Sequence, residues 1–284
     1  MNHIFNFGHL DITLITIMLS TAFICFLVSE ITCNYSQVDK LWSLMPIIYS
    51  LVAYSANPSP RMGIMCVLVA LWGFRLSFNF YRKGGYNIVP WKGEEDYRWK
   101  ILRQNPAFKG RVRFGLFNLF FISFYQNLLI LLFSSPLILV SQYPDVNLNL
   151  MDIIAASLML QFIIIETIAD NQQFRFNKLK RQAEKSGGLY SESLKKGFLS
   201  EGLWSYVRHP NFIAEQCVWI SFYFFGVAAS GKLINWTLVG PFLLILLFFG
   251  STQMTERISR KKYPGYSAYL KDVPKFIPRL IRKH

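Results

Sequence analysis

A short polar stretch near the end of the chain combines cationic side chains with hydrogen-bonding side chains. Arg208 and His209 directly precede Pro210, and Asn211 and Glu215 follow at a spacing of four residues. Proline suits the first position of a helix, because its missing amide hydrogen has no partner there. Two cations beside the positive end of a helix dipole are unfavourable unless an anion neutralises them. The stretch therefore predicts a helix N-terminus that binds an anionic group such as phosphate.

Long apolar runs supply the elements that must position these residues. Hydrophobic residues make up 52% of the 284 residues and charged residues only 16%, against about 25% charged residues in an ordinary soluble domain. A helix needs about 20 apolar residues to cross a bilayer. The sequence thus predicts an all-α polytopic membrane protein, organised as one transmembrane domain over residues 1–284. Its seven spans are expected near residues 10–29, 41–57, 62–81, 115–142, 150–170, 211–229 and 235–255. Pro136 is expected to kink or break the fourth span.

The placement of the basic residues orients these spans. Of the 30 lysines and arginines, 26 lie in residues 82–113, 171–210 and 256–284. With seven spans and an outside N-terminus, all three segments face the same side, so the positive-inside rule predicts a cytoplasmic C-terminus. A net charge of +14 that is split among juxtamembrane segments argues against nucleic acid as a partner. The four cysteines show no metal-type spacing, and no metal site is expected.

Ionisable residues inside the apolar runs gather towards the cytoplasmic ends. Glu166 and Asp170 lie one helical turn apart, hence on one helix face. A charge inside a span costs roughly 2.5–3.5 kcal/mol, so such residues usually face a cavity or a partner. They predict either a structural polar network or a cytoplasmic cavity for a charged, water-soluble cofactor. Asp152 is expected at the outer end of a helix, where solvation is cheap.

Several motifs in a fixed order carry a resemblance to a known family. They are Gln37-Val38-Asp39 with Trp42, Leu71-Trp72-Gly73 with Arg75-Leu76, residues 95–99, Glu166 with Asp170, Gln172 and Phe176, residues 202–212 with Glu215 and Trp219, and Tyr263, Tyr266 and Tyr269 with Val273-Pro274 and Ile277-Pro278. This set resembles the steroid 5-alpha-reductase and isoprenylcysteine methyltransferase-like membrane superfamily. In particular it resembles the DUF1295 branch, from about residue 30 to the end. That bacterial branch implies a bacterial inner membrane.

The resemblance implies an NADPH-dependent reductase acting on a conjugated carbon–carbon double bond of a lipid or steroid-like substrate from the bilayer. Carried over by position, the cofactor-binding half spans about residues 160–284. Its implied cofactor-binding residues are Asp170, Lys178, Arg208, His209, Asn211, Glu215, Arg260, Tyr263 and Arg279.

The resemblance also implies an acid and a tyrosine that polarise an enone carbonyl. Asp39 takes the place of the acid, at the start of the second span. The third-helix position of the tyrosine holds Trp72, which leaves Tyr86, or alternatively Tyr81, as the catalytic tyrosine.

Two other function classes remain open. Membrane methyltransferases of prenylated or phospholipid substrates use S-adenosylmethionine and share the architecture and the Arg-His-Pro element. Asn211 and the Glu166/Asp170 pair favour the reductase, whereas Glu256 and the absent tyrosine fit either enzyme. A non-enzymatic seven-helix transporter or receptor would need polar residues along a whole path through the membrane, and the outer half of the spans is almost bare of them.

Overall fold

The computed structural model describes residues 8–89, 91–186 and 191–277. These residues are mostly helical, and no strand occurs among them. Their α-helices are α1 His9–Thr32, α2 Gln37–Leu41, α3 Met45–Ala56, α4 Pro60–Arg82, α5 Tyr97–Gln104, α6 Arg111–Phe117, α7 Gln126–Ser134, α8 Pro136–Ser141, α9 Leu150–Ser186, α10 Glu192–Lys196, α11 Pro210–Ser230, α12 Val239–Lys262 and α13 Tyr266–Asp272. A π-helix, Asn118–Tyr125, joins α6 to α7, and 3₁₀ turns occupy Gly202–Ser205 and Trp236–Leu238.

Six helical segments within the described residues are long and apolar enough to cross a membrane. They are His9–Thr32, Pro60–Arg82, Arg111–Ser134, Leu150–Lys185, Pro210–Ser230 and Trp236–Lys262. Their apolar side chains are not all packed inside the protein: α4 exposes Val67, Leu71, Phe74 and Phe78, which repeat at helical spacing. A soluble protein rarely exposes such a stripe, so the all-α, multi-pass membrane fold predicted from the sequence is confirmed.

Two of the seven predicted spans are not single continuous helices long enough to cross the membrane. The second corresponds to α3, whose 12 residues reach only about 18 Å at the helical rise of about 1.5 Å per residue. That length is short of the roughly 30 Å hydrocarbon core, which leaves six long spans and one shorter apolar helix. The fourth is interrupted as expected, since α7 ends at Ser134 and α8 begins at Pro136. The orientation of the termini stays a prediction.

The described residues form two compact units. The first comprises those of residues 1–156 and 221–242, and the second those of residues 157–220 and 243–284. In the first unit Gly240 permits a very close approach of α12 to α7, because a Cβ there would lie 2.2 Å from the carbonyl oxygen of Leu132. The single transmembrane domain stays a prediction.

The first unit contains a buried ion pair that the sequence did not reveal. Arg61 Nε lies 2.7 Å from Asp152 Oδ1, and both side chains are 2% exposed. The guanidinium makes a second bond to Asp152 Oδ2 at 2.8 Å and donates to the carbonyl oxygens of Val146 and Asn147. The expectation that Asp152 is solvated at a helix end is therefore wrong: its charge is balanced by Arg61 and not by water.

Candidate functional site

The start of α11 is tied to α12 and to the following tail by the two predicted cations. His209 Nε2 and Arg208 Nε each lie 2.9 Å from Glu256 Oε1. The Arg208 guanidinium also donates to the carbonyl oxygens of Leu270, at 2.6 Å, and Val273, at 3.2 Å. An anionic side chain of the protein itself, Glu256, thus lies beside the Arg208 guanidinium and the His209 ring at this helix N-terminus.

A second set of buried groups lies where α9 meets α11. Asn211 Nδ2 donates to Asp170 Oδ1 at 3.3 Å, while the buried Oδ1 of Asn211 has no hydrogen-bond partner in the protein. Glu166 and Asp170 are both buried on one face of α9. Glu215 is buried one turn beyond Asn211 and accepts from Trp219 Nε1 at 3.2 Å. The structure therefore brings Asp170 and Asn211 into contact and adds an orphan acceptor that a ligand amide or hydroxyl can satisfy.

The 3₁₀ turn before α11 is fixed against α9. Trp204 Nε1 donates to the carbonyl oxygen of Ala169 at 3.3 Å, and Gln172 Oε1 accepts from the Leu203 amide at 3.0 Å. Gly202 adopts φ +62°, and a Cβ there would lie 2.6 Å from Gln172 Nε2. The positive φ favours glycine, and any larger side chain at this position would displace the Gln172 amide. The Gly-Leu-Trp motif therefore sets the position at which α11 begins.

The C-terminal tail packs as an aromatic cluster of Phe198, Tyr266 and Tyr269 with Tyr263 at its edge. Lys180 Nζ donates to Tyr263 Oη at 3.0 Å and to the carbonyl oxygen of Gly197 at 2.7 Å. Burial favours the neutral phenol, but Lys180 and Lys262 outweigh it and lower the pKa of Tyr263 below its ordinary value.

The cofactor-binding roles predicted for this region stay predictions. Tyr263 lies in the cluster, and the Lys178 and Arg260 side chains are exposed. Arg279 lies outside the described residues. The cation that reaches Tyr263 from α9 is Lys180, which sequence reasoning missed. Helical spacing could have predicted this contact, because Lys180 follows the buried Phe176 by four residues and lies on the same face of α9.

Asp39 lies in the first unit on the short helix α2, where it contacts Trp99 of α5. Trp99 Nε1 donates to Asp39 Oδ2 at 3.0 Å. Burial first, and then the nearby charge of Asp96, raise the pKa of Asp39 above its ordinary value, although Arg98 and hydrogen bonds act in the opposite direction. Asp96 itself is paired with Arg98 at 2.8 Å. A carboxyl with a raised pKa is suited to hold and release a proton.

Tyr86 also contacts α2, but through the main chain. Its hydroxyl donates to the carbonyl oxygen of Lys40 at 2.7 Å. Lys40 is buried and donates from Nζ to the carbonyl oxygen of Lys92 at 2.9 Å. Burial lowers the pKa of Lys40. Tyr81 is exposed and Trp72 is fully buried. The structure thus places Tyr86 beside the residue that follows Asp39, and the catalytic roles of Asp39 and Tyr86 stay predictions.

Comparison with known proteins places the chain in a family. Residues 25–273 match the family described as "Protein of unknown function (DUF1295)". The chain belongs to the DUF1295 family. An uncharacterized protein of Schizosaccharomyces pombe is 38% identical over 270 residues, which cover 90% of this chain and 76% of that protein. No solved structure matches.

The DUF1295 membership expected from the motifs is confirmed, whereas the wider superfamily stays a prediction. The relative of this DUF1295 protein is eukaryotic, which gives no support to a bacterial inner membrane. Within residues 8–89, 91–186 and 191–277 there is no group of three or more His, Cys, Asp or Glu residues arranged to hold a metal ion.

Proposed function

We propose that this DUF1295 protein is a membrane-embedded, NADPH-dependent reductase of a conjugated carbon–carbon double bond in a lipid or steroid-like substrate. The observation that carries the proposal is the orphan Oδ1 of Asn211, held beside Asp170 at the start of α11. An amide oxygen accepts hydrogen bonds from ligand N–H or O–H groups. NADPH offers both, in its carboxamide and ribose hydroxyls, and supplies a hydride when bound.

In this proposal, the polar and charged side chains described for the second unit bind or position the cofactor. The buried carboxylates of Asp170 and Glu215 orient donor groups of the cofactor and exclude water around them. Lys180, which is held by Tyr263, and the exposed Lys178 and Arg260 offer positive charge to phosphate groups. Arg208 and His209 position the helix N-terminus through Glu256.

Reduction of a double bond also consumes a proton. Asp39 is our candidate for its donor, because burial keeps its proton to a higher pH than that of an ordinary aspartic acid. Tyr86 supports α2 through its bond to the Lys40 carbonyl oxygen. We also propose an outside N-terminus and a cytoplasmic C-terminus, from the distribution of basic residues.

One observation favours a second enzyme class. Three carboxylates, those of Glu166, Asp170 and Glu215, are buried in the second unit. Buried carboxylates suit a ligand with positive charge, and S-adenosylmethionine carries a sulfonium and an ammonium group. A methyltransferase of a prenylated or phospholipid substrate is therefore the alternative.

Measuring NADPH binding to two variants tests the reductase proposal. Asn211→Ala and Glu215→Ala remove one hydrogen-bonding group each. We expect about 2- to 10-fold weaker binding for Asn211→Ala, which removes a neutral acceptor, and about 10- to 100-fold weaker binding for Glu215→Ala, which removes a carboxylate. Asn177→Ala is the matched control, because Asn177 lies exposed on α9. Its affinity should equal that of the wild type. If both Asn211→Ala and Glu215→Ala bind NADPH normally while remaining folded, the site is misplaced.

A further inference from the structure

Three helices of the first unit, α1, α3 and α7, pack against one another around polar side chains. Tyr49 and Asn127 are 0% exposed and Ser29 is 1% exposed. The hydroxyl oxygens of Tyr49 and Ser29 and the Oδ1 atom of Asn127 have no hydrogen-bond partner in the protein. Buried polar atoms are nearly always paired, and a lipid environment offers no water to replace a missing partner. These three orphan atoms therefore require an explanation, and the proposed reductase uses none of them.

Cys25 places Asn127 and Tyr49 near the same point of α1. Its sulfur lies close enough to the side-chain amide of Asn127 and to the Tyr49 hydroxyl to interact with both electrostatically. Ser29 follows Cys25 by one helical turn and shares its face of α1.

The register of the helices agrees with this placement. Asn118 Nδ2 donates to Glu30 Oε1 at 2.8 Å. Residue numbers along α1 thus fall from Glu30 to Cys25 while those of the facing segment rise from Asn118 to Asn127. The two run antiparallel, and Ser29 and Cys25 face the same stretch of that segment.

We propose that Tyr49 and Asn127, beside Cys25 and Ser29, bind the hydroxyl group of a membrane-soluble lipid alcohol. Asn127 Nδ2 already donates to the carbonyl oxygen of Ser123 at 2.7 Å, so its free atom is an acceptor. The Tyr49 hydroxyl can donate. A ligand hydroxyl accepts from Tyr49 and donates to Asn127, whereas an ether oxygen or a ketone satisfies only the first.

The side chains near these polar groups along the helices are apolar and packed by the protein: Ala22 on α1, Ala53 on α3 and Leu129 on α7 are fully buried. The apolar body of a ligand therefore reaches the site only by displacing these packed side chains. The proposal does not depend on the reductase, because it requires neither NADPH nor Asp39. A buried water molecule is the competing occupant of such a site.

Thermal unfolding of the detergent-purified full chain tests the proposal. The probes are oleyl alcohol, farnesol and cholesterol, each beside its methyl ether, which cannot donate. At least one alcohol should raise the Tm of the wild type more than its ether does. If no alcohol raises the Tm, or if ether and alcohol act equally, the proposal is overturned.

Tyr49→Phe separates a ligand site from a structural hydroxyl. Because the hydroxyl has no protein partner, the variant without ligand should unfold at a temperature no lower than that of the wild type. Its affinity for the stabilising alcohol should fall roughly 3- to 10-fold. Tyr54→Phe, at an exposed position of the same helix, should leave both quantities unchanged. A lower Tm for ligand-free Tyr49→Phe would show a structural or water partner and contradict the proposal.

Discussion

The side-chain amide of Asn211 donates to Asp170 Oδ1 across α9 and α11, and the same contact leaves the buried Oδ1 of Asn211 without a partner. Asp170 itself is buried. A buried acceptor without a partner costs about 1–3 kcal/mol, and a ligand that donates a hydrogen bond to it would remove this cost. We therefore interpret the start of α11 as a binding site, while the neighbouring Arg208 and His209 are held by Glu256.

Glu256→Gln should destabilise the second unit. The substitution leaves Arg208 and His209 beside the positive end of α11 without their anion, at partly buried positions. We expect a loss of about 3 kcal/mol in the free energy of unfolding, since removing one partner of a buried pair strands the other charge. The measurement is the Tm of the purified protein. Arg257→Gln, at the exposed next residue, is the control, and equal Tm values for the two variants would contradict this role of Glu256.

Arg61→Met should cost about 3–5 kcal/mol, because it leaves the buried Asp152 carboxylate unpaired. Asp152→Asn strands Arg61 in the same way. The double variant Arg61→Met/Asp152→Asn should be more stable than the sum of the two single losses implies, since it removes both charges. A double-mutant cycle on Tm measures this coupling. Strict additivity of the two losses would show that the pair does not interact.

The ion pair between Arg61 and Asp152 could not be predicted from the sequence. Each residue by itself has the pattern of a charge at a helix end, and the two are 91 positions apart. The apolar runs and the break at Pro136 were predictable, because helix length and proline geometry are local properties. The pairing depends on tertiary packing, which a single sequence does not encode locally.

Asp39→Asn should raise stability at neutral pH. Burial, with Asp96, raises the pKa of Asp39 in the folded protein. The protonated carboxyl therefore contributes stability that is complete below the unfolded pKa of about 3.9. This contribution is lost as the pH rises through the folded value. Asparagine remains neutral throughout, so the gain in Tm over the wild type should be largest at high pH and vanish as the pH falls.

Tm values of both proteins between about pH 4 and pH 8 measure this dependence. The control is Asp96→Asn, which breaks the pair with Arg98 and should lower the Tm. A Tm difference for Asp39→Asn that stays constant with pH would mean that the carboxyl keeps its ordinary pKa.

Lys180→Met should lower stability by roughly 1–2 kcal/mol, whereas Lys178→Met should have little effect. Lys180 donates to Tyr263 and to the Gly197 carbonyl oxygen, and the loss of such bonds has about this cost. Lys178 is exposed two residues away on the same helix. Thermal unfolding of both variants makes the comparison. A larger effect at Lys178 would refute the assignment of Lys180 as the cation that holds the tail.

The motifs predicted which segments of the chain form the candidate site, but not which side chains contact one another there. Asp170 and Asn211 were placed in one pocket by resemblance, and they do touch. The motifs did not point to Lys180, because motif position says nothing about which face of a helix is buried. Glu256 stood out in the sequence only as a polar residue near the end of a span, because its partners depend on how α11 and α12 pack.

Ligand-dependent thermal stabilisation of the detergent-purified protein tests the reductase proposal most directly, with NADPH, NADH and S-adenosylmethionine measured in parallel. Binding to the folded state adds about 2.7 kcal/mol at a hundredfold excess over Kd. The proposal predicts a rise in Tm with NADPH, a smaller rise or none with NADH, and none with S-adenosylmethionine. A rise with S-adenosylmethionine alone would identify a methyltransferase, and no rise with any of the three would contradict an enzyme of either class.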